Sequence, residues 1–249
     1  MINHKFIFIC GLHRSGTSLL HKILRNQKNI SGFENTPAIE DEGQHLQTVF
    51  NAANKHGGPG KFGFDSNSFL NANSKLINSE NKKILINQWN KYWDLDKEFL
   101  VEKSPPNLVR TLFLQSLFPN SYFITIYRHP VATALATKKW SKTSYFSLIS
   151  HWLICHKQFI SDKKKIKNSL EIRYEDLTEK PTKTLNTISK FLNTDLALQE
   201  INIKKEVNQK YFKIWKNRKR NFFFRYKINK SEDHFEKEIN AFDYSFTNI

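Results

Sequence analysis

The chain has 249 residues, of which 39% are hydrophobic and 25% charged, and its formal net charge is +16. These proportions exclude a disordered polyelectrolyte, and the length is that of one large domain or two small ones, enough to bury a core without disulfide staples. No stretch reaches the ~18 consecutive apolar residues of a membrane span, and the basic excess fits a nucleic acid, an anionic membrane face or a polyanionic small molecule.

The first predicted strand, Lys5–Cys10, is a short apolar run that ends at Gly11. "GLHRSGTS" follows with the spacing of the phosphate-binding loop G-x-x-x-x-G-K-[ST]. The lysine is replaced by Thr17, and Arg14 lies inside the loop. A helix is predicted from Thr17 to Asn26. The opening apolar run is too short for the core of a secretory signal, and no small-residue cleavage site follows it. Cys10 and Cys155 sit in apolar patterns and read as buried free thiols, so a cytoplasmic, reducing location is expected.

A second strand is predicted at Ile30–Phe33. It leads into "SGFENTPAIEDEGQHLQ", with a helix expected over Glu42–Asn51. Residues 54–69, rich in Gly, Asn and Ser, read as a long, lid-like loop. Next come a helix over Ser74–Tyr92 and a third strand, Phe99–Val101, with Lys103 and Ser104 at its end. A helix over Asn107–Leu117 precedes the fourth strand, Tyr122–Tyr127, which ends in Arg128. Helices over Val131–Lys139 and Ser144–Ser161 lead to a fifth strand, Leu170–Tyr174. Within the second of these helices, His151 and His156 flank Trp152 and read as core or as the wall of a binding site. Helices over Lys183–Asn193 and Val207–Lys216 complete the pattern, and the basic C-terminal segment near 204–230 interleaves cations with aromatics over residues 213–230. There is no internal repeat and no long linker, so residues 1–249 are expected to form one domain.

Strands alternating with helices predict an α/β fold: a P-loop-like three-layer sandwich around a central parallel sheet. Ligands bind such sheets beyond the carboxyl ends of the strands. Arg14, Lys103 and Arg128 all stand there. A magnesium-dependent nucleotide hydrolase would place an Asp after a hydrophobic strand to hold its metal. These strands end in cations instead, which predicts direct binding of a large, highly charged anion without a metal. A nucleotide or small-molecule kinase is the first rival reading, disfavoured by the missing lysine and Asp. A nucleic-acid-binding module is the second. A basic cleft for a charged co-substrate accounts for part of its main argument, so no nucleic-acid partner is expected.

Three stretches, "GLHRSGTSLLHKIL", "VEKSPPNLVRTLFLQSLFPNSYFITIYRHPVATALA" and "IRYEDLTEKP", occur in the order and spacing of one family. Together they resemble the sulfotransferases that use 3′-phosphoadenosine 5′-phosphosulfate (PAPS), of bacterial type and with some similarity to tyrosylprotein sulfotransferases. The resemblance implies that the loop from His13, with Arg14 and the backbone of Ser15, Gly16, Thr17 and Ser18, binds the 5′-phosphosulfate. It implies that Arg128 binds the 3′-phosphate and that Tyr174 contacts adenine. The family's usual 3′-phosphate serine is Ala136 here, with Thr137 beside it as a substitute. Lys210 and Tyr211 match a basic aromatic segment that closes over the nucleotide.

Sulfuryl transfer requires alignment of nucleophile and leaving group, neutralisation of charge on the bridging oxygen, and a base for the acceptor proton. Arg14 and Lys103 suit the charge. For the base, Glu42 ranks before Glu34 and His45, with Glu40 also nearby. The histidine that cytosolic members carry two residues after the strand-end lysine is Pro105 here. The implied acceptor is a hydroxyl or amine on a glycan, lipid, peptide or small metabolite.

Overall fold

The computed structural model describes residues 4–198, 202–247 and 249. The five predicted strands form at Lys5–Cys10 (β1), Ile30–Gly32 (β2), Phe99–Lys103 (β3), Ser121–Tyr127 (β4) and Ser169–Arg173 (β5). All pair in parallel, in the order β2-β3-β1-β4-β5. The helices are Thr17–Arg25 (α1), Ser79–Trp89 (α2), Thr111–Leu117 (α3), Pro130–Thr137 (α4), Tyr145–Lys163 (α5), Tyr174–Glu179 (α6), Pro181–Leu192 (α7), Val207–Arg218 (α8) and Phe222–Asn240 (α9). No helix among the described residues is long and apolar enough to cross a membrane.

The two-residue period of β1 sorts its side chains into two layers. Ile7 and Ile9 pack with Leu20, Ile23 and Leu24 of α1 and with Leu185, Ile188 and Leu192 of α7. Phe8 and Cys10 face the other way, into a core with Trp89, Phe113, Trp152 and Phe159. A central strand buried on both faces has no polar side to show, which is why its sequence is a continuous apolar run. Cys10 and Cys155 are buried free thiols, and burial raises the pKa of both.

Four expectations need correction. The predicted helix from Glu42 to Asn51 does not form, and short 3₁₀ turns at Ile39–Asp41 and Gly43–His45 stand in its place. Side chains take the backbone groups a helix would need. Trp89 Nε1 donates to the Gly43 carbonyl (3.0 Å), Ser104 Oγ accepts from the Gln44 N–H (2.9 Å), and Gln47 Oε1 accepts from the N–H groups of Val49 and Phe50. The helix expected from Ser74 begins at Ser79, where the Asn78 side chain caps it by accepting from the Asn81 N–H (2.8 Å). The helix expected from Asn107 starts at Thr111, after a 3₁₀ turn over Pro105–Val109. Helix α9 falls on the cationic aromatic segment and beyond, where no helix was expected.

Residues 54–69 are seated rather than free. Phe62 and Ser68 are buried, Arg110 Nε donates to the Ser68 carbonyl (2.9 Å), and His56 pairs with Asp65 (2.7 Å). Asn54 and Pro59 of this segment line the main cavity described below.

Four buried histidines and His13, half-buried at the main cavity, give the fold a defined acid sensitivity. Burial, as the leading cause, pushes His13, His21, His151 and His156 down to about 3 and His129 to about 4, from an ordinary 6.5. They are neutral when folded, and unfolding lets each take a proton below 6.5. Their stabilisation is therefore complete above pH 6.5 and is lost as pH falls toward 4 and 3. Buried Glu102, raised to about 7, acts with the opposite sign between its ordinary 4.5 and 7, as one group against five. Denaturant melts at pH 7, 6 and 5 are expected to show stability falling by about 1.4 kcal/mol per pH unit for each histidine fully engaged. A stability curve flat from pH 7 to 5 contradicts this account.

Candidate active site

Strand β1 lies between β3 and β4, so the chain leaves the sheet centre in opposite directions on its two sides, which is where open α/β sheets place their ligands. The register aligns Ile9 with Lys103 and Cys10 with Thr125. The ends of β1, β3 and β4 thus deliver the loop from Gly11, Lys103 and Arg128 to one edge. A cavity of about 500 Å³ opens there, lined among others by His13, Arg14, Gly16, Thr17, Ser18, Glu42, His45, Arg128, Tyr174, Lys210 and Tyr211.

The loop is shaped for close approach. Gly16 has φ 102°, and a Cβ on it would lie 2.3 Å from Tyr174 Cδ2. Only glycine allows that backbone to lie against the tyrosine ring. Ser15 does not face the cavity as expected, because its N–H and its hydroxyl both bond to the Leu12 carbonyl (3.0 and 2.7 Å) and close the turn. The first turn of α1 follows, and the N–H groups there have no partner within the helix. With the helix dipole, they form an anion-binding end. Arg14 is left-handed (φ 68°) and exposed, with its guanidinium 4.8 Å from the Trp140 ring centre.

Arg128 is the most constrained cation. Its Nε donates to Asn208 Oδ1 (2.9 Å) and its Nη1 to the Arg14 carbonyl (2.7 Å). Its guanidinium lies 4.3 Å from the Tyr174 ring and 5.3 Å from the Tyr211 ring. Nη2 is buried and has no protein partner. Burial lowers the group's pKa from 12.5, yet a guanidinium stays protonated at neutral pH. Asn208 links this arginine to Glu175 (2.5 Å), and Glu175 also accepts from the His129 N–H and the Tyr244 hydroxyl (3.0 Å each). The start of α8 is thereby tied to the sheet edge, which brings Lys210 and Tyr211 to the cavity.

The acidic side is built differently from the expectation. Lys103 is fully buried and does not line the cavity. Its Nζ donates to the Glu40 carbonyl (2.7 Å) and pairs with Glu42 Oε1 (3.3 Å), so the acidic segment covers it. Glu40 and Asp41 are consecutive left-handed residues (φ 56° and 51°), a costly backbone state for side-chain-bearing residues. That kink turns the Glu40 carbonyl onto Lys103. Glu42 is buried on the cavity wall, Gln44 Nε2 donates to its Oε2 (2.5 Å), and His45 Nε2 stands 3.8 Å from the same oxygen. Ser18 Oγ donates to Glu40 Oε2 (3.1 Å). His13 keeps a buried, unpartnered Nδ1. Burial, Lys103 and His45 hold it neutral.

Two candidates lie elsewhere. Glu34 is exposed and paired with Arg25 Nη2 (2.6 Å), outside the cavity. Thr137 donates to the His13 carbonyl (3.5 Å) and faces a separate void of about 10 Å³ beside His151. His156 is core, stacked on Tyr127 and against Trp152. Sequence reading also missed Glu102, which is fully buried beneath the Glu42 turn and accepts from Ser104 Oγ (2.5 Å) and Asn107 Nδ2 (2.6 Å). A Cβ on Gly43 would lie 2.5 Å from it. A carboxylate inside the apolar run "FLVEK" was the signal for it. Asn208 gave none.

A family model described as the sulfotransferase family matches residues 7–198. Among solved structures, the sulfotransferase domain from the curacin biosynthetic pathway aligns with TM-score 0.52 and 19% identity, over 79% of this chain and 76% of that one. The sulfotransferase domain of the Synechococcus PCC 7002 olefin synthase aligns with TM-score 0.51 and 19% identity, over 78% and 76%. Sulfotransferase STF9 from Mycobacterium avium aligns with TM-score 0.53 and 12% identity, over 97% and 78%. No curated protein sequence matches. The parallel sheet, the loop at its central strand and the family match over most of the chain agree, and the protein is an enzyme of the sulfotransferase family.

Proposed function

We propose that the protein moves a sulfuryl group from PAPS to a hydroxyl or amine acceptor. The observation that carries this is Arg128, a buried guanidinium on the cavity wall with one N–H-bearing nitrogen unpartnered. An unpaired buried donor is costly, and a 3′-phosphate would satisfy it. Across the cavity, the loop and the α1 N-terminus suit a 5′-phosphosulfate, and His13 Nδ1 offers a further neutral partner. Tyr174, Tyr211 and Lys210 suit the nucleoside part. When bound, PAPS supplies the activated sulfuryl group. Glu42 takes the acceptor proton, and Lys103 holds Glu42 in place. Ile39, Ala53, Pro59 and Trp140 give the cavity an apolar portion for the acceptor.

Titration calorimetry in EDTA tests the donor site. Adenosine 3′,5′-bisphosphate is expected to bind, and adenosine 5′-monophosphate to bind poorly. Arg128→Ala is expected to weaken the bisphosphate by about 1.5–3 kcal/mol, the worth of a charge-assisted contact. Equal affinity of the two nucleotides for the wild type would overturn the 3′-phosphate assignment. A strict magnesium requirement for binding would favour a kinase-like site instead.

A further inference from the structure

From Val207 to Ser231 the chain carries nine Lys and Arg residues and no Asp or Glu, so this stretch supplies nine of the net +16 charges. Only its first part touches the cavity, through Val207, Lys210 and Tyr211. The remainder forms the end of α8, the turn after it and the start of α9. Trp215 and Ile228 of this hairpin are buried, and Trp215 Nε1 donates to Glu232 (2.8 Å). Three aromatic side chains stand out in solvent: Phe222, Phe223 and Tyr226 are 75%, 80% and 72% exposed. Tyr226 follows the two phenylalanines at i+4 and i+3, so the three share one side of α9. Lys213, Lys216, Arg220, Arg225, Lys227 and Lys230 are exposed around them.

The charge is also polarised along α9. Its acidic residues lie in the second half: Glu232 pairs with Lys219 of the turn, Glu238 pairs with Lys157 of α5, Glu236 accepts from Ser245 and from the Phe246 N–H, and Asp233 is exposed. The hairpin tip is left strongly positive, with protruding phenylalanines that have no polar group to satisfy. Cations ringing exposed aromatic side chains are complementary to the anionic headgroups and acyl boundary of a bilayer. Base stacking would instead call for aromatics set in a groove that tracks a strand.

We propose that the α8–α9 tip is a docking surface for an anionic lipid bilayer, with Phe222 and Phe223 entering the interface and the surrounding cations reading the headgroup charge. Lys210 lies eight helical residues before the end of α8 at Arg218. At 1.5 Å per residue, that sets the cavity about 12 Å back along α8 from the turn that carries the tip. The enzyme would then work close to the surface without being embedded in it.

Cosedimentation of the full chain with phosphatidylcholine vesicles, with and without 30% phosphatidylserine, tests this at two salt concentrations. Binding is expected only with phosphatidylserine and is expected to weaken with salt. Phe222→Ser/Phe223→Ser should lower it about tenfold or more, the worth of burying large apolar side chains. Each of Arg225→Gln and Lys227→Gln should lower it about fivefold. These positions are exposed and off the cavity, so bisphosphate affinity should be unchanged, and that readout reports separately on the nucleotide reading. Equal pelleting with neutral vesicles, or indifference to the double phenylalanine variant, overturns the proposal. So does preferential binding to a single-stranded oligonucleotide that those phenylalanines support.

Discussion

Glu42→Gln is expected to lower turnover about 10²–10⁴-fold, the usual range for loss of a general base, while leaving affinity for adenosine 3′,5′-bisphosphate nearly unchanged. The substitution keeps the size of the side chain and an oxygen to face Lys103. It removes the capacity to take a proton from the acceptor. The carboxylate lies on the cavity wall, with Oε1 at 3.3 Å from Lys103 and Oε2 bonded by Gln44. Glu34→Gln serves as the control, since Glu34 is exposed and paired with Arg25 away from the cavity. It should retain near-normal turnover. Steady-state kinetics needs the acceptor, which a screen of cell extracts with labelled PAPS and mass identification of the product would supply. Near-normal turnover by Glu42→Gln would move the proton acceptor to His45, which also lines the cavity. His13, held at about 3, is too weak a base to replace it.

The strands and the donor loop were legible because each is encoded locally. "FIFIC" is short, aromatic and β-branched and runs into a glycine, which reads as a strand buried on both faces, and Gly16 is required by a left-handed φ and by the Tyr174 ring against it. Arg14, Lys103 and Arg128 were legible as a group because each stands at the end of a strand. Their individual surroundings were not. Lys103 was expected at the anion, yet it lies under Glu40 and Glu42, because a carbonyl turned by two left-handed residues captures it. Glu42 was expected on a helix. That expectation failed because Trp89, Ser104 and Gln47, distant or side-chain partners, take the backbone groups first. Asn208 closes on Arg128 across 80 residues, a contact no local pattern announces. Helix α9 was hidden by its composition. Its aromatics and cations read as a loose basic segment, while Ile228, Phe235 and Ile239 form the buried stripe.

Lys103→Met is expected to cost about 3–5 kcal/mol of stability, the penalty for leaving one partner of a buried ion pair uncompensated. Lys103 is fully buried and the Glu42 side chain is 9% exposed. Methionine fills the space of the stem but leaves the carboxylate and the Glu40 carbonyl without a donor. Turnover should fall as well, because the carboxylate loses the cation that fixes it on the cavity wall. The double variant Lys103→Met/Glu42→Gln separates the two effects. It removes the stranded charge, so much of the lost stability should return in denaturant melts, giving a coupling of the size seen between residues in direct contact. Turnover should stay as low as in Glu42→Gln alone. If Lys103→Met instead abolishes bisphosphate binding while its stability is unchanged, the lysine serves the nucleotide phosphate directly. The pairing with Glu42 would then not be its working arrangement.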